Sequence, residues 1–189
     1  RYDLGLCYYD ESLYNDSLYE LKQFLTELRK EGRKILMFAN DANTDGMFEH
    51  GIYKKMIGPF ERKLTRGLSF LLPLYFEKRP LTLLLEHYRV CSTIMTSRYH
   101  ALLTAAWAGC KIVALERSSK TSALARDLGI HEVRKPFSMK QLLYAFENAQ
   151  PADRNKLLDL SRKAAESILE FGNHITSVTK PRARKGTGC

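Results

Sequence analysis

The chain has 189 residues, 44% of them apolar, with 10 Tyr and 9 Phe. This composition suits one ordinary globular domain, or one domain with a helical appendage, and argues against disorder. Net charge is +9, of which Lys180, Arg182, Arg184 and Lys185 carry four; the moderate excess on the body fits an anionic small substrate as well as it fits nucleic acid or an anionic membrane surface, but no zinc-finger spacing, aromatic-basic motif or basic zipper marks a nucleic-acid module.

In chain order, strands and helices alternate. The opening Arg1-Tyr2-Asp3-Leu4 has neither an initiator Met nor a charged-then-apolar leader pattern; it reads as an entry into the middle of a strand, and the chain as a piece of a longer protein. Leu4 to Tyr9 is strand-like. Ser12 to Lys30 places apolar residues at 18, 21, 24, 25 and 28, one face of a helix, with Gly32 as its stop signal. Lys34 to Ala39 is a short apolar run suited to a buried parallel strand. Asp45 to Met56 reads as a helix ended by Gly58-Pro59. Leu68 to Phe76 fits strand or helix and is broken by Pro73.

Pro80 to Arg89 reads as a helix with Pro in its first turn. Strand 92–96, helix 98–108, strand 111–115, helix 121–128 and a short strand at 131–133 follow. Ser138 to Asn148 and Ala152 to Phe171 close the pattern as helices. Strands alternating with helices predict an α/β fold with a doubly wound parallel sheet. The expected organisation is a Rossmann-like lobe over 1–150, a helix packing on or extending it over 151–179, and a disordered basic tail over 180–189.

The four cysteines, Cys7, Cys91, Cys110 and Cys189, make no C-x-x-C pair and no metal-ligand spacing. Cys91 and Cys110 lie among apolar residues and read as small core residues of a reducing compartment. A C-terminal lipidation signal needs three residues after its Cys, and none follow Cys189 in this sequence, so none is expected. No apolar run reaches the length of a membrane span.

Three segments invite a chemical reading. Ser97-Arg98-Tyr99-His100 falls between an apolar strand and an alanine-rich helix. That puts an Arg and a His in the first turn of a helix, just beyond a strand's C-terminal end. Open α/β sheets bind ligands at that edge, and a helix start offers N–H groups to an anion. Ser118-Ser119-Lys120-Thr121-Ser122 resembles the end of a P-loop but lacks its glycines. Lys120 nonetheless falls at a helix start one βα unit further along, where it complements Arg98. Asp41-Ala42-Asn43-Thr44-Asp45-Gly46 matches half of an EF-hand loop, but Ile52 stands where the bidentate Glu belongs. It reads as a polar βα loop, and no metal is expected. His50, His87, His131 and His174 have no ligand spacing among themselves.

Ser97 through Ala106, then Gly109, Ile112 to Leu115, Lys120 and Leu128-Gly129 together resemble the polysaccharide pyruvyl transferase family, which carries an S-x-R-x-H-A segment opening a helix. Arg1 sits where that family has an arginine ending the first strand of its C-terminal lobe. The resemblance covers most of residues 1–135. It departs at Cys110, where proline is common, and at Glu116-Arg117-Ser118-Ser119, where Tyr-Asp-Pro is frequent.

The resemblance implies the C-terminal lobe of a glycosyltransferase-B-like architecture, with a second lobe on another stretch of the same protein. It implies transfer of pyruvate from phosphoenolpyruvate to a saccharide of a cell-surface polysaccharide as a ketal, without metal or cofactor. The site residues implied are His100 as general acid/base and Arg98, Lys120, Arg1 and Ser97 as substrate contacts. The compartment implied is the cytoplasm, with at most peripheral membrane association. Two other readings stay open: a nucleotide-sugar-dependent glycosyltransferase lobe, with Glu116 available to ribose hydroxyls, and a non-catalytic assembly lobe.

Overall fold

The structure is a computed structural model that describes residues 1–8, 16–38, 68–71 and 81–178. The Asp41–Gly46 loop, the helix expected over 45–56, His50, Cys189 and the basic tail lie outside the described residues.

Seven strands and six helices are described: β1 (Tyr2–Cys7), α1 (Asp16–Lys30), β2 (Ile35–Phe38), β3 (Leu68–Leu71), α2 (Leu81–Arg89), β4 (Cys91–Thr96), α3 (Tyr99–Ala108), β5 (Lys111–Leu115), α4 (Ser119–Asp127), β6 (His131–Val133), α5 (Met139–Glu147), β7 (Gln150–Pro151) and α6 (Arg154–Val178). Six strands form a parallel sheet in the order β3-β2-β1-β4-β5-β6, and β7 adds antiparallel to the start of β5. The doubly wound α/β expectation is met. Leu68–Leu71, ambiguous by pattern, is a strand paired in parallel with β2. β1 starts two residues earlier than its apolar pattern suggests, because Tyr2 pairs with Cys91 of β4.

Strand alternation divides the core into two faces. Leu4, Leu6, Ile35, Met37, Met95, Val113, Leu115 and Val133 form one cluster with Leu18, Leu21, Phe24, Leu25 and Leu28 of α1 and with Leu142 and Ala145 of α5. These α1 positions are the apolar stripe read from the sequence. Ile94, Thr96, Ile112 and Ala114 alternate with that set and face the other way. Ala101, Leu102, Ala105 and Ala106 of α3 are buried, and α3 packs beside α2 and α4. Its alanines let the helix lie close to its neighbours.

Helix ends follow local chemistry. Gly32, Gly109 and Gly129 all adopt positive φ. Ser138 caps α5 with a full capping box: its hydroxyl accepts from Gln141 N–H at 3.2 Å, and the Gln141 side chain accepts from Ser138 N–H at 3.0 Å. Residues 1–153 form one compact unit, and α6 belongs to a second. Within α6, Asp159 pairs with Arg162 at 2.6 Å and Lys163 at 2.8 Å.

Candidate functional site

Because the six paired strands run in parallel, their C-terminal ends share one edge. The chain turns outward from β1 in both directions, so β1 and β4 flank the point where the strand order reverses. In open α/β sheets that switch point leaves a crevice beyond the strand ends. Here it lies beyond Cys7 and Thr96, which pair in register.

Ser97 and Arg98 leave the end of β4 directly above this point. Ser97 is fully buried and donates its N–H to the Cys7 carbonyl at 3.2 Å. Arg98 is the N-cap of α3, with extended backbone (φ −99°, ψ 129°), and its carbonyl accepts the first intrahelical bond, from Leu102 N–H at 2.9 Å. The sequence pattern places Arg98 inside the first turn; the structure places it one step before. The Arg98 side chain makes no cap bond to the first turn. By contrast, Ser118 caps α4 by accepting from Thr121 N–H at 3.4 Å.

His100 is the second residue of α3 and is exposed. Its ring meets that of Tyr99 edge-on, with centroids 5.5 Å apart, and its carbonyl accepts from the Thr104 hydroxyl at 2.8 Å. Lys120 is exposed in the first turn of α4, on the same sheet edge beyond β5. The fold therefore gathers Ser97, Arg98 and His100 at one helix mouth and sets Lys120 at the next.

Arg1 is not brought to them. It precedes Tyr2 at the N-terminal end of β1, whereas Ser97 bonds to Cys7 at the other end. Six strand residues at about 3.3 Å each separate the two edges. Arg1 lies instead near the Cys110 thiol, which feels its charge together with that of Arg89. In the described residues, Arg1 therefore stands at the opposite edge of the sheet from Ser97 and Arg98.

Glu116 is half-buried beyond β5, and its carboxylate accepts the backbone N–H of Lys135 at 2.8 Å while its own N–H donates to the Val133 carbonyl at 3.0 Å. These bonds tie the loop after β5 to the loop after β6. The sequence reading passed over Thr96, the last residue of β4. Its hydroxyl donates to the Cys7 carbonyl at 2.8 Å and accepts from Arg98 N–H at 3.0 Å. The only signal for it is a hydroxyl-bearing β-branched residue ending an apolar strand one step before a loop. Among the described residues, no three His, Cys, Asp or Glu side chains gather to hold a metal ion, and no helix is long and apolar enough to cross a membrane.

An uncapped helix start, a guanidinium and an imidazole at a switch point, with a lysine one unit along, suit an anion such as a phosphate or carboxylate.

No family model and no curated protein sequence matches the chain. Solved structures with the same fold include ADP-heptose lps heptosyltransferase II of E. coli (TM-score 0.53, 14% identity over 85% of this chain and 48% of that one). A UDP-GlcNAc 2-epimerase of Methanocaldococcus jannaschii, solved with UDP-GlcNAc and UDP, is similar at TM-score 0.52, with 12% identity over 87% of this chain and 45% of that one. The O-GlcNAc transferase of Thermobaculum terrenum, as its K341M mutant, follows at 0.51, with 21% identity over 84% of this chain and 30% of that one. The chain thus spans less than half the length of each. At such identities the likeness is one of fold, and it bears out the Rossmann-like, glycosyltransferase-B-like lobe expected from the sequence.

Proposed function

We propose that this chain is the donor-binding lobe of a sugar-modifying transferase that moves pyruvate from phosphoenolpyruvate onto a saccharide. The observation that carries the reading is the Arg98 and His100 pair at the mouth of α3, above the sheet's switch point. It is supported by the resemblance of Ser97 to Ala101 to the segment that opens the same helix in polysaccharide pyruvyl transferases. The acceptor in this reading is a sugar of a cell-surface polysaccharide, and the second wall of the cleft comes from another lobe of the same protein.

Phosphoenolpyruvate carries a carboxylate and a phosphate. Arg98 suits bidentate contact with either group, the N–H groups of the first turn of α3 favour an oxyanion, and Lys120 supplies a further cation. His100 gives a proton to the methylene carbon, which becomes the methyl group. A sugar hydroxyl attacks the neighbouring carbon and loses its proton. His100 takes back the first hydroxyl's proton, the bond from that carbon to the phosphate oxygen breaks, and a second hydroxyl closes the ketal as its proton passes to the departing inorganic phosphate. Imidazole is the side chain suited to gain and lose protons near neutral pH. A cytoplasmic setting is in keeping with Cys7, Cys91 and Cys110 standing outside any disulfide.

A second reading, a lobe binding a nucleotide sugar, is favoured by one finding: a structure of the same fold holds UDP-GlcNAc and UDP. Calorimetric titration with phosphoenolpyruvate and with UDP-sugars separates the two. The pyruvyl reading expects phosphoenolpyruvate to bind and Arg98→Ala to weaken it by about tenfold or more, the worth of a charge-assisted bidentate contact. Binding of a UDP-sugar with no response to phosphoenolpyruvate favours the second reading. In the protein carrying both lobes, His100→Ala is expected to slow turnover by about 10²- to 10⁴-fold; wild-type turnover rules out the acid/base role.

A further inference from the structure

We infer that Thr96 is a positioning residue for the anion site: its hydroxyl fastens Arg98 to the end of β1 and so fixes where Arg98 and His100 stand at the switch point. The inference rests on the reading of Arg98 as a donor-anchoring group.

Thr96 is fully buried, as are Ile94 and Met95 before it. Packing alone would be served at this position by valine, which has the same shape and no polar atom. A buried hydroxyl is costly unless bonded, and this one uses both of its capacities. It donates to the Cys7 carbonyl at 2.8 Å and accepts from Arg98 N–H at 3.0 Å. The Cys7 carbonyl also takes Ser97 N–H at 3.2 Å. Two successive amides after β4, those of Ser97 and Arg98, are therefore both referred to one point on β1.

The consequence falls on the helix mouth. Arg98 stands outside the helix in extended conformation, so helical bonding does not fix its N–H. The Thr96 hydroxyl accepts it at 3.0 Å. With that bond lost, the Ser97-Arg98 segment keeps one tether to β1 instead of two, and the Arg98 backbone is no longer fixed at the helix mouth. Displacements of this kind near a binding group reduce affinity or rate strongly even where no ligand contact is removed.

The test uses the 189-residue chain, with Thr96→Val to keep the shape and Thr96→Ser to keep the hydroxyl. Phosphoenolpyruvate binding is followed by calorimetry, the Arg98 amide by NMR hydrogen exchange, and stability by urea unfolding. Thr96→Val is expected to bind phosphoenolpyruvate about tenfold more weakly and to exchange the Arg98 amide faster, while Thr96→Ser stays within about twofold of the parent in both. A purely structural role predicts a lower urea midpoint in Thr96→Val with affinity and Arg98 exchange unchanged, and that result overturns the inference. So does a Thr96→Ser variant as weak as Thr96→Val.

If the parent chain binds no phosphoenolpyruvate, the donor reading fails on its own account. The Arg98 amide then decides: faster exchange in Thr96→Val alone upholds the tether, and equal exchange in both variants overturns it. If Thr96→Val does not fold, an Arg98 amide that is protected in the parent and in Thr96→Ser upholds the tether, and an unprotected one in the parent overturns it.

Discussion

The Cys110 thiol donates to the Tyr88 carbonyl at 3.4 Å, and Cys91 lies buried at the start of β4. Burial, reinforced by the neighbouring Cys110, pushes the Cys91 thiol up to about 12. Burial raises Cys110 to about 11, against the opposing charges of Arg1 and Arg89. Only thiolates are strong nucleophiles, so neither thiol should react with iodoacetamide at neutral pH in the native chain, and both should react once urea unfolds it. Appreciable native labelling would contradict this burial. The same shift bears on alkaline stability. Below about pH 8.5 the thiols are protonated in both states and contribute no pH dependence. Above it the unfolded chain releases protons that the folded chain keeps, so stability falls as pH rises toward the folded values. Urea midpoints measured over that range should fall less steeply in a Cys91→Ala, Cys110→Ala double variant than in the parent. At this scale the sequence shows that both cysteines are core-like. That Arg1 lies near Cys110 rather than near Arg98 depends on β1 running parallel to β4, from Tyr2 against Cys91 to Cys7 against Thr96, and no local pattern carries that.

α3 ends in a Schellman arrangement: Cys110 N–H donates to the Ala105 carbonyl at 3.2 Å and Gly109 N–H to the Ala106 carbonyl at 3.1 Å. Gly109 has φ +73°, and a Cβ there would meet nothing within 4 Å. The cost of Gly109→Ala is therefore conformational alone, about 1 kcal/mol by thermal or urea unfolding; a neutral result would show that the turn is not left-handed. Element positions were largely readable because helix and strand periodicity and glycine stops act over a few residues. Leu68–Leu71 was not, because four residues followed closely by Pro73 carry too little period to separate strand from helix. Arg98 was displaced by one step because an N-cap differs from a first-turn residue only in backbone conformation. On α6, the hydrogen bonds from Lys163 and Arg162 hold the Asp159 carboxyl below the usual carboxylate range. The group is exposed, and such helix-surface pairs add little to stability.

At the scale of the molecule, the sheet is held between α1 and α5 on one face and α3 with its neighbours on the other. Leu21 is fully buried in the first of these layers, and Leu21→Ala should lower the unfolding free energy by about 2–5 kcal/mol. A change well below that range would mean the layer collapses around the gap. By itself the sequence determined the alternation of elements, the apolar stripe of α1, and the presence of an Arg and a His at a helix start beyond a strand, since these depend on neighbours a few residues apart. Only the tertiary structure decided the strand order, and with it the switch point beside β1 and β4. It alone separated Arg1 from Arg98 and joined Thr96 to a carbonyl 89 residues away. Hydrogen bonds between distant strands leave no period in the chain, so which side chains share a sheet edge emerges only once the strands are paired.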